Sequence, residues 1–168
     1  MTTVGIVDYG MGNLDSVSRA VELCGGHPLI TGDARQLQGA GLLILPGVGS
    51  FSTGMRNIRA RGLDAALAEL VIERGVPLLG VCLGMQLLAT RGFEGGETSG
   101  LGWIEGEVRR LEPDRPGARI PHVGWNEVHV VRTSPLFEGI PSGQDFYFVH
   151  SYHLVCRNAD DVLARTPY

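Results

Sequence analysis

Residues 77–86 read Pro-Leu-Leu-Gly-Val-Cys-Leu-Gly-Met-Gln, an apolar run that meets a Gly-x-Cys-x-Gly turn and continues with residues that favour a helix. The pattern predicts that Cys82 lies at a sharp strand-to-helix corner with its sulfur pushed outward, like the serine in the Gly-x-Ser-x-Gly elbow of hydrolases. Side chains at Gly80 and Gly84 would crowd this corner and the neighbouring strand.

The predicted corner favours a reactive thiolate at Cys82. A helix expected over Leu83–Ala89 directs its first N–H groups and the positive end of its dipole at the sulfur. Such a setting lowers a cysteine pKa from about 8.5 to roughly 3.5–7.5. The alternative interpretation is a small buried hydrophobic residue, the usual fate of a free cysteine. The flanking glycines favour the nucleophile.

Strands and helices alternate in the first half of the chain. The predicted strands are Val4–Asp8, His27–Thr31, Leu42–Leu45 and Val76–Val81; the predicted helices before the corner are Leu14–Leu23 with Asn13 as its N-cap, Thr53–Arg59 and Leu63–Arg74. Apolar strands without polar alternation indicate a parallel sheet buried on both faces. Ligands bind outside the carboxyl ends of such strands. Residues 8–10, residues 46–49 and Cys82 all fall there.

The second half has a different pattern. Glu94–Gly102 is expected to be a glycine-rich loop, and Trp103–Leu111, Asn126–Val131 and Phe146–Val155 are predicted strands of a mainly antiparallel extension. His150 and His153 stand three apart on one predicted strand and so point to opposite faces. They should not hold one metal together, and His122 is also interpreted as structural.

Composition narrows the functional classes. The chain has 168 residues, 43% hydrophobic and 19% charged, with a net charge of −4, so we expect a single globular domain over residues 1–168. No basic stripe points to nucleic acid, and no apolar run is long enough to span a membrane. Three separated cysteines, Cys24, Cys82 and Cys156, predict no disulfide framework and fit the cytoplasm. We expect no metal and no cofactor.

Five motifs in order carry a family resemblance. They are Asp-Tyr-Gly-Met-Gly-Asn-Leu at 8–14, Pro-Gly-Val-Gly-Ser-Phe at 46–51, Gly-Val-Cys-Leu-Gly-Met-Gln at 80–86 and Pro-His-Val-Gly-Trp-Asn-Glu at 121–127, followed by Tyr-Phe-Val-His-Ser-Tyr at 147–152. Together they resemble the class I, triad-type, glutamine amidotransferases, and within them the glutaminase subunits of imidazole glycerol phosphate synthase. The resemblance implies a flavodoxin-like α/β sandwich with a mostly parallel central sheet and an antiparallel extension.

The resemblance also implies roles for individual residues. Cys82 would attack the side-chain amide of glutamine and form a thioester with release of ammonia. The oxyanion would be held by the N–H of Leu83 and by the segment containing Gly47, Val48 and Gly49, which is thought to need a peptide flip. Residues that would bind the substrate glutamine are Gln86, Glu94, Ser151 and Tyr152.

The implied partner is a (β/α)₈-barrel cyclase subunit. Ammonia would pass through a channel to that subunit, which makes imidazole glycerol phosphate and AICAR in histidine biosynthesis. Residues implied at or near the subunit interface are Asn13, Trp125 and Tyr147.

Two members of the family's triad, the histidine base and the glutamate that orients it, are missing. In the family, the base is a histidine in a His-Pro-Glu motif beyond the last strand, and no His-x-Glu occurs in this sequence. We therefore expect a C-terminally truncated domain that hydrolyses glutamine very poorly by itself, because a triad needs nucleophile, base and orienting group within reach.

Two other hypotheses compete with the amidotransferase. The first is another hydrolase of similar α/β fold with an elbow cysteine and a nearby glutamate, which predicts activity without glutamine. The second is a module without a base that binds the cyclase and modulates it. Trapping of Cys82 by a glutamine-like chloroketone separates the first from the amidotransferase, and binding without turnover favours the second.

Overall fold

The computed structural model describes residues 1–113 and 117–168. A four-stranded parallel sheet forms its first half, in the order β2-β1-β3-β4. The strands are β1 (Thr3–Val7), β2 (His27–Thr31), β3 (Leu42–Leu45) and β4 (Leu78–Gly80). The predicted parallel sheet is confirmed, and the bounds predicted for β2 and β3 agree with the structure.

Five helices accompany this sheet. They are α1 (Leu14–Leu23), α2 (Ala34–Leu37), α3 (Phe51–Ala60), α4 (Leu63–Ala68), which continues as a π-helical turn over Glu69–Glu73, and α5 (Leu83–Gln86). The bounds of α1 are as predicted, and Asn13 caps it by accepting a hydrogen bond from the Ser16 N–H at 3.2 Å. Helix α2 was not predicted because its four residues carry no detectable apolar period.

Apolar side chains bury both faces of the sheet, as predicted. One face packs against α1 through a small cluster of Val4, Ile6, Val21 and Ile44. The other face packs against α3, α4 and α5 through the larger cluster. Its members include Val7, Leu43 and Leu45 of the strands and Phe51, Met55, Leu67 and Leu83 of the helices. Since consecutive strand residues point to opposite faces, an all-apolar strand serves both clusters at once.

The second half forms two further sheets. One has the order β10-β7-β5-β6 and consists of β5 (Ala89–Gly92), β6 (Thr98–Ser99), β7 (Ile104–Arg110) and β10 (Tyr152–Cys156). The other is antiparallel, in the order β11-β8-β9, and consists of β8 (His122–Val130), β9 (Gln144–His150) and β11 (Ala164–Arg165). Short 3₁₀ turns span Pro135–Phe137 and Ala159–Asp161.

Two expectations for this region were wrong in detail. The predicted strand Phe146–Val155 is divided at Ser151, because β9 pairs with β8 whereas β10 pairs with β7. The predicted loop Glu94–Gly102 contains β6. The extension is mainly antiparallel, as expected, although β5 and β7 run parallel.

The helix after Cys82 is also shorter than predicted. It ends at Gln86, not Ala89, because the next carbonyl groups accept bonds from a distant segment. The Leu101 N–H donates to Leu87 O at 2.9 Å, and the Gly102 N–H donates to Ala89 O at 3.0 Å. A single helical turn aligns few peptide dipoles, so the field that it directs at Cys82 is weaker than the sequence suggested.

Candidate active site

Cys82 lies at a strained corner between β4 and α5. Its φ of 52° and ψ of −113° make it the only non-glycine residue with positive φ in residues 1–113 and 117–168. Such a conformation persists only where the surroundings enforce it, and it is common at active sites. Cys82 is exposed, so the predicted outward-facing corner is confirmed and the buried alternative is wrong.

Close packing enforces this corner. A Cβ at Gly84 would lie 1.7 Å from Leu45 O, and a Cβ at Gly80 would lie 2.6 Å from Met85 Cα. The Val81 N–H donates to Leu45 O at 3.0 Å, so the chain stays paired with β3 until the residue before Cys82. Only glycine allows α5 to begin this close to the end of β3.

The Pro46–Gly49 segment lies directly beside the corner. It follows β3, and a Cβ at Gly47 would lie 2.9 Å from Leu83 Cβ and 3.1 Å from Gly84 N. Gly49 has a φ of +115°. Within the described residues, the N–H groups of Val48, Gly49 and Leu83 make no hydrogen bond to another backbone group. These donors are therefore not occupied by backbone bonds and can stabilise an oxyanion in an orientation that turns them toward Cys82.

Tyr9 is a buried residue that lies against the Pro46–Gly49 segment. No role was assigned to it from the sequence. It follows β1, whose carboxyl end lies beside that of β3, and its side chain is fully buried. A Cβ at Gly47 would lie 2.1 Å from Tyr9 Oη, so the hydroxyl lies against the Pro46–Gly49 segment. The available signal was the position of Tyr9 immediately after an all-apolar strand at the same edge as Cys82.

Glu94 is fixed next to the same segment. Its Oε2 accepts a hydrogen bond of 2.8 Å from the Phe51 N–H at the start of α3. A carboxylate near a helix N-terminus is stabilised by the helix dipole, so this contact holds the Glu94 side chain at the start of α3. Helix α3 begins two residues after Gly49. The structure thus brings Glu94 to the start of α3, although Phe51 and Glu94 are 43 residues apart in sequence.

Gln86 and Tyr152 are also brought together. The Gln86 side chain is buried, and its Nε2 donates to Tyr152 O at 3.0 Å. The Ser151 carbonyl accepts from the Leu111 N–H at 2.8 Å, which holds the turn between β9 and β10. Four predicted substrate-binding residues therefore occupy two places, Glu94 beside the Pro46–Gly49 segment and the Ser151–Tyr152 pair beside Gln86.

A chain of side-chain hydrogen bonds continues from Tyr152 into the third sheet. His150 Nδ1 lies 2.9 Å from Tyr152 O and must donate, because a carbonyl only accepts. His150 Nε2 lies 3.3 Å from His122 Nδ1, and His122 Nε2 lies 3.4 Å from Asn126 Nδ2.

The remaining histidines, His27, His129 and His153, have other surroundings. His27 begins β2 and lies at the opposite edge of the parallel sheet, since Cys82 follows the carboxyl end of β4. His129 lies 3.5 Å from the Glu127 carboxylate. His153 points to the face of β10 opposite to Tyr152 and Leu154, which pack on the large core cluster. Burial, and secondarily His150, lowers the pKa of His153.

Two aromatic residues form an exposed cross-strand pair on β8 and β9. Trp125 and Tyr147 are in register, with ring centroids 5.6 Å apart in an edge-to-face arrangement, and they are 72% and 56% exposed. Val123 and Val149 extend the same exposed face. Asn13 is exposed as well and follows Gly12, where a Cβ would lie 3.6 Å from Gly47 N.

Neither a metal site nor a membrane-spanning helix is found in residues 1–113 and 117–168. No group of three His, Cys, Asp or Glu side chains there is arranged to hold a metal ion. In the same ranges, no helix has both the length and the apolar character needed to cross a bilayer.

Comparison with known proteins agrees with this geometry. The family model for glutamine amidotransferase class-I matches residues 6–164. The chain is 49% identical over 168 residues to a protein of Moorella thermoacetica named imidazole glycerol phosphate synthase subunit HisH, covering all of this chain and 78% of that protein. It is 44% identical over 175 aligned positions to a protein of the same name from Brucella abortus, covering 98% of this chain and 81% of that one.

Among solved structures, the fold is similar to that of PurLQS from Thermotoga maritima. The TM-score is 0.72 at 22% identity, covering 99% of this chain and 75% of the matched chain. At this identity the likeness concerns the fold alone. The fold in question is a parallel sheet accompanied by smaller, mainly antiparallel sheets.

Proposed function

Because this chain belongs to the class-I glutamine amidotransferases, and within them to the HisH subunits of imidazole glycerol phosphate synthase, we propose that it is the glutaminase subunit of that synthase. In this role it releases ammonia from glutamine for a step of histidine biosynthesis. One observation carries the proposal: an exposed cysteine at a strained corner adjoins free backbone N–H groups.

The proposed reaction begins at the Cys82 sulfur. The thiolate attacks the γ-carboxamide carbon of glutamine, and the carbonyl electrons move to the oxygen to form a tetrahedral oxyanion. Collapse of this intermediate breaks the C–N bond, and the nitrogen takes a proton and leaves as ammonia. Water then cleaves the γ-glutamyl thioester to glutamate. The N–H groups of Leu83 and of Val48 or Gly49 stabilise the oxyanion; one such donor contributes about 2.7–4 kcal/mol in other hydrolases.

The substrate is held by groups around the corner. Glu94 supplies a carboxylate for the α-ammonium group of glutamine while its Oε2 remains bonded to the Phe51 N–H. The Ser151–Tyr152 pair binds the amino-acid end. Gln86 contributes to the same pocket through the turn that its hydrogen bond to Tyr152 O supports.

Two parts of the triad, the histidine base and its orienting glutamate, have no counterpart in the family's motif among these 168 residues. No histidine here is followed at the second position by glutamate. Both ring nitrogens of His150 are engaged by Tyr152 O and by His122. We infer that the 168-residue polypeptide hydrolyses glutamine very slowly, because loss of the base from a serine protease triad lowers kcat by about a million-fold.

A cyclase subunit is the proposed acceptor of the ammonia. The exposed face around Trp125 and Tyr147 fits a protein interface, since aromatic residues are enriched at interface cores. We propose Asn13 for the same interface, because it is exposed and the preceding Gly12 lies against the Pro46–Gly49 segment. Three cysteines without a disulfide agree with a cytoplasmic location.

Covalent labelling tests the proposal. We expect a glutamine-like chloroketone to alkylate Cys82 and to leave Cys24 unmodified, with free glutamine protecting Cys82. Cys24 is the matched control because it is also exposed and free, so iodoacetamide should modify both thiols. The variant Cys82→Ser should lose the chloroketone adduct.

The outcomes separate the competing functions. Absence of labelling at Cys82 in the unmodified chain, together with hydrolysis of an ester or amide unrelated to glutamine, would replace the amidotransferase by another hydrolase. Binding to the cyclase without any reaction at Cys82 would leave a non-catalytic module. Rapid ammonia release by residues 1–168 with the cyclase would contradict the inferred lack of a base.

A further inference from the structure

The Tyr9 hydroxyl is a buried donor without a hydrogen-bond partner among the described residues. The whole side chain is inaccessible to solvent, and Oη is the single orphaned polar side-chain atom in the buried part of residues 1–113 and 117–168. Buried hydroxyl groups are almost always paired, because an unpaired one loses its bonds to water without replacement. An unpaired hydroxyl at the edge of an active site therefore requires a functional explanation.

The hydroxyl lies between the two parts of the proposed oxyanion site. The closest neighbour of a Cβ built on Gly47 is Tyr9 Oη at 2.1 Å, and the next are Leu83 Cβ and Gly84 N. Burial, and secondarily the charge of Cys82, raises the pKa of Tyr9 well above its ordinary value. Tyr9 therefore keeps its proton at working pH and acts as a donor.

The peptide between Gly47 and Val48 can satisfy this donor in another orientation. The N–H and C=O of a trans peptide point in opposite directions. When the Val48 N–H turns outward to the substrate, the Gly47 carbonyl turns inward, toward Tyr9. This peptide rotates through ψ of residue 47 and φ of residue 48, and the glycine at position 47 keeps the energetic barrier low.

We propose that Tyr9 is a positioning residue whose hydroxyl donates to the Gly47 carbonyl when the Val48 N–H faces the oxyanion. The bond forms only in that orientation, so it favours the reactive state of the segment over the one described here. This inference rests on the proposed function, because it assigns Tyr9 to the oxyanion site of the same reaction.

The test uses the full 168-residue chain and the γ-aldehyde analogue of glutamine. The Cys82 sulfur adds to the aldehyde carbon, and the oxygen of the resulting thiohemiacetal occupies the oxyanion site. We expect Tyr9→Phe to weaken aldehyde binding roughly tenfold, as for the loss of one hydrogen bond. Methyl methanethiosulfonate reacts with the same sulfur without forming an oxyanion, so its rate should be unchanged.

Stability and a matched variant complete the experiment. Phenylalanine keeps the ring of Tyr9, so the melting temperature of Tyr9→Phe should not fall. Tyr168→Phe removes a hydroxyl that donates to Arg119 O, and its aldehyde affinity should equal that of the unmodified chain. Unchanged aldehyde affinity in Tyr9→Phe, or a lower melting temperature without loss of affinity, would show a structural hydroxyl and overturn the inference.

Failure of the underlying function gives a different result. If the unmodified chain forms no thiohemiacetal at Cys82, both the glutaminase and the role of Tyr9 are wrong. If the unmodified chain forms it and Tyr9→Phe binds the aldehyde equally well, only the role of Tyr9 is wrong.

Discussion

The Gln86 amide donates a hydrogen bond of 3.0 Å to the carbonyl of Tyr152, across 66 residues of sequence. The same carbonyl accepts from His150 Nδ1 at 2.9 Å. This shared acceptor joins the short helix after Cys82 to the turn between β9 and β10. The nucleophile corner and the proposed substrate pocket are therefore one hydrogen-bonded unit.

Replacing Gln86 tests this connection. Gln86→Leu keeps a similar volume but removes the donor, and His150 still satisfies Tyr152 O, so we expect a loss of about 1 kcal/mol in the free energy of unfolding. Labelling of Cys82 by the chloroketone should also slow. Urea unfolding and the labelling rate measure the two effects. Gln38→Leu, at an exposed position, is the control, and equal behaviour of both variants would contradict the connection.

Gly84 tests the packing that holds the corner. Gly84→Ala places a methyl group 1.7 Å from Leu45 O, so we expect a loss of about 3 kcal/mol in unfolding free energy, typical of severe overpacking. Urea unfolding gives the value. Gly39→Ala meets only Gln36 O at 3.8 Å without a positive φ, and it should stay within about 1 kcal/mol of the unmodified chain. If Gly84→Ala were as stable as Gly39→Ala, the corner would not depend on close packing.

The exposed aromatic pair tests the proposed interface. Trp125→Ala and Tyr147→Ala should each weaken binding to the cyclase subunit by about 30-fold, as for an interface residue contributing about 2 kcal/mol. Their unfolding free energies should change little because both side chains are mostly exposed. Calorimetric titration with the cyclase measures the affinities. Leu136→Ala, at an exposed apolar position on the 3₁₀ turn, serves as control, and an equal loss there would argue against a specific surface.

The bonds of Glu107 to two arginines should make the free energy of unfolding depend on pH. Hydrogen bonds from Arg91 and then Arg109 hold the pKa of Glu107 below its ordinary value. A lowered folded-state pKa stabilises the fold above the unfolded pKa of about 4.3, and the effect disappears as pH falls through the folded value. Glu107→Gln should therefore unfold more readily than the unmodified chain at neutral pH.

The difference should shrink on acidification. Acid protonates the Glu107 carboxylate of the unmodified chain, which then resembles the variant. Urea unfolding at neutral pH and at about pH 3.5 measures the difference between the two chains. Glu105→Gln breaks an exposed pair with Arg157 and should change stability by at most about 1 kcal/mol at either pH. A Glu107→Gln difference that stays constant with pH would show that the Arg91 and Arg109 bonds do not stabilise the fold.

Local sequence determined the parallel half of the fold well. Helix α1, its Asn13 cap, and strands β2 and β3 lie where periodicity and capping predict them. The corner at Cys82 was also predictable, because Gly-x-Cys-x-Gly after an apolar run leaves little freedom in how the chain can turn. The meeting of residues 8–10, residues 46–49 and Cys82 at one edge followed from the parallel order of β1, β3 and β4.

Only the tertiary structure decided where distant groups meet. Helix α5 stops at Gln86 because N–H groups of residues 101 and 102 take the next carbonyls, and the run 146–155 divides because its two halves pair with different strands. The bonds of Glu94 to Phe51 and of Gln86 to Tyr152, and the burial of Tyr9 against Gly47, arise in the same way. Such contacts depend on which backbone and side-chain groups remain unpaired after the sheets form. That outcome is set by the whole assembly of strands and is not encoded in any one segment.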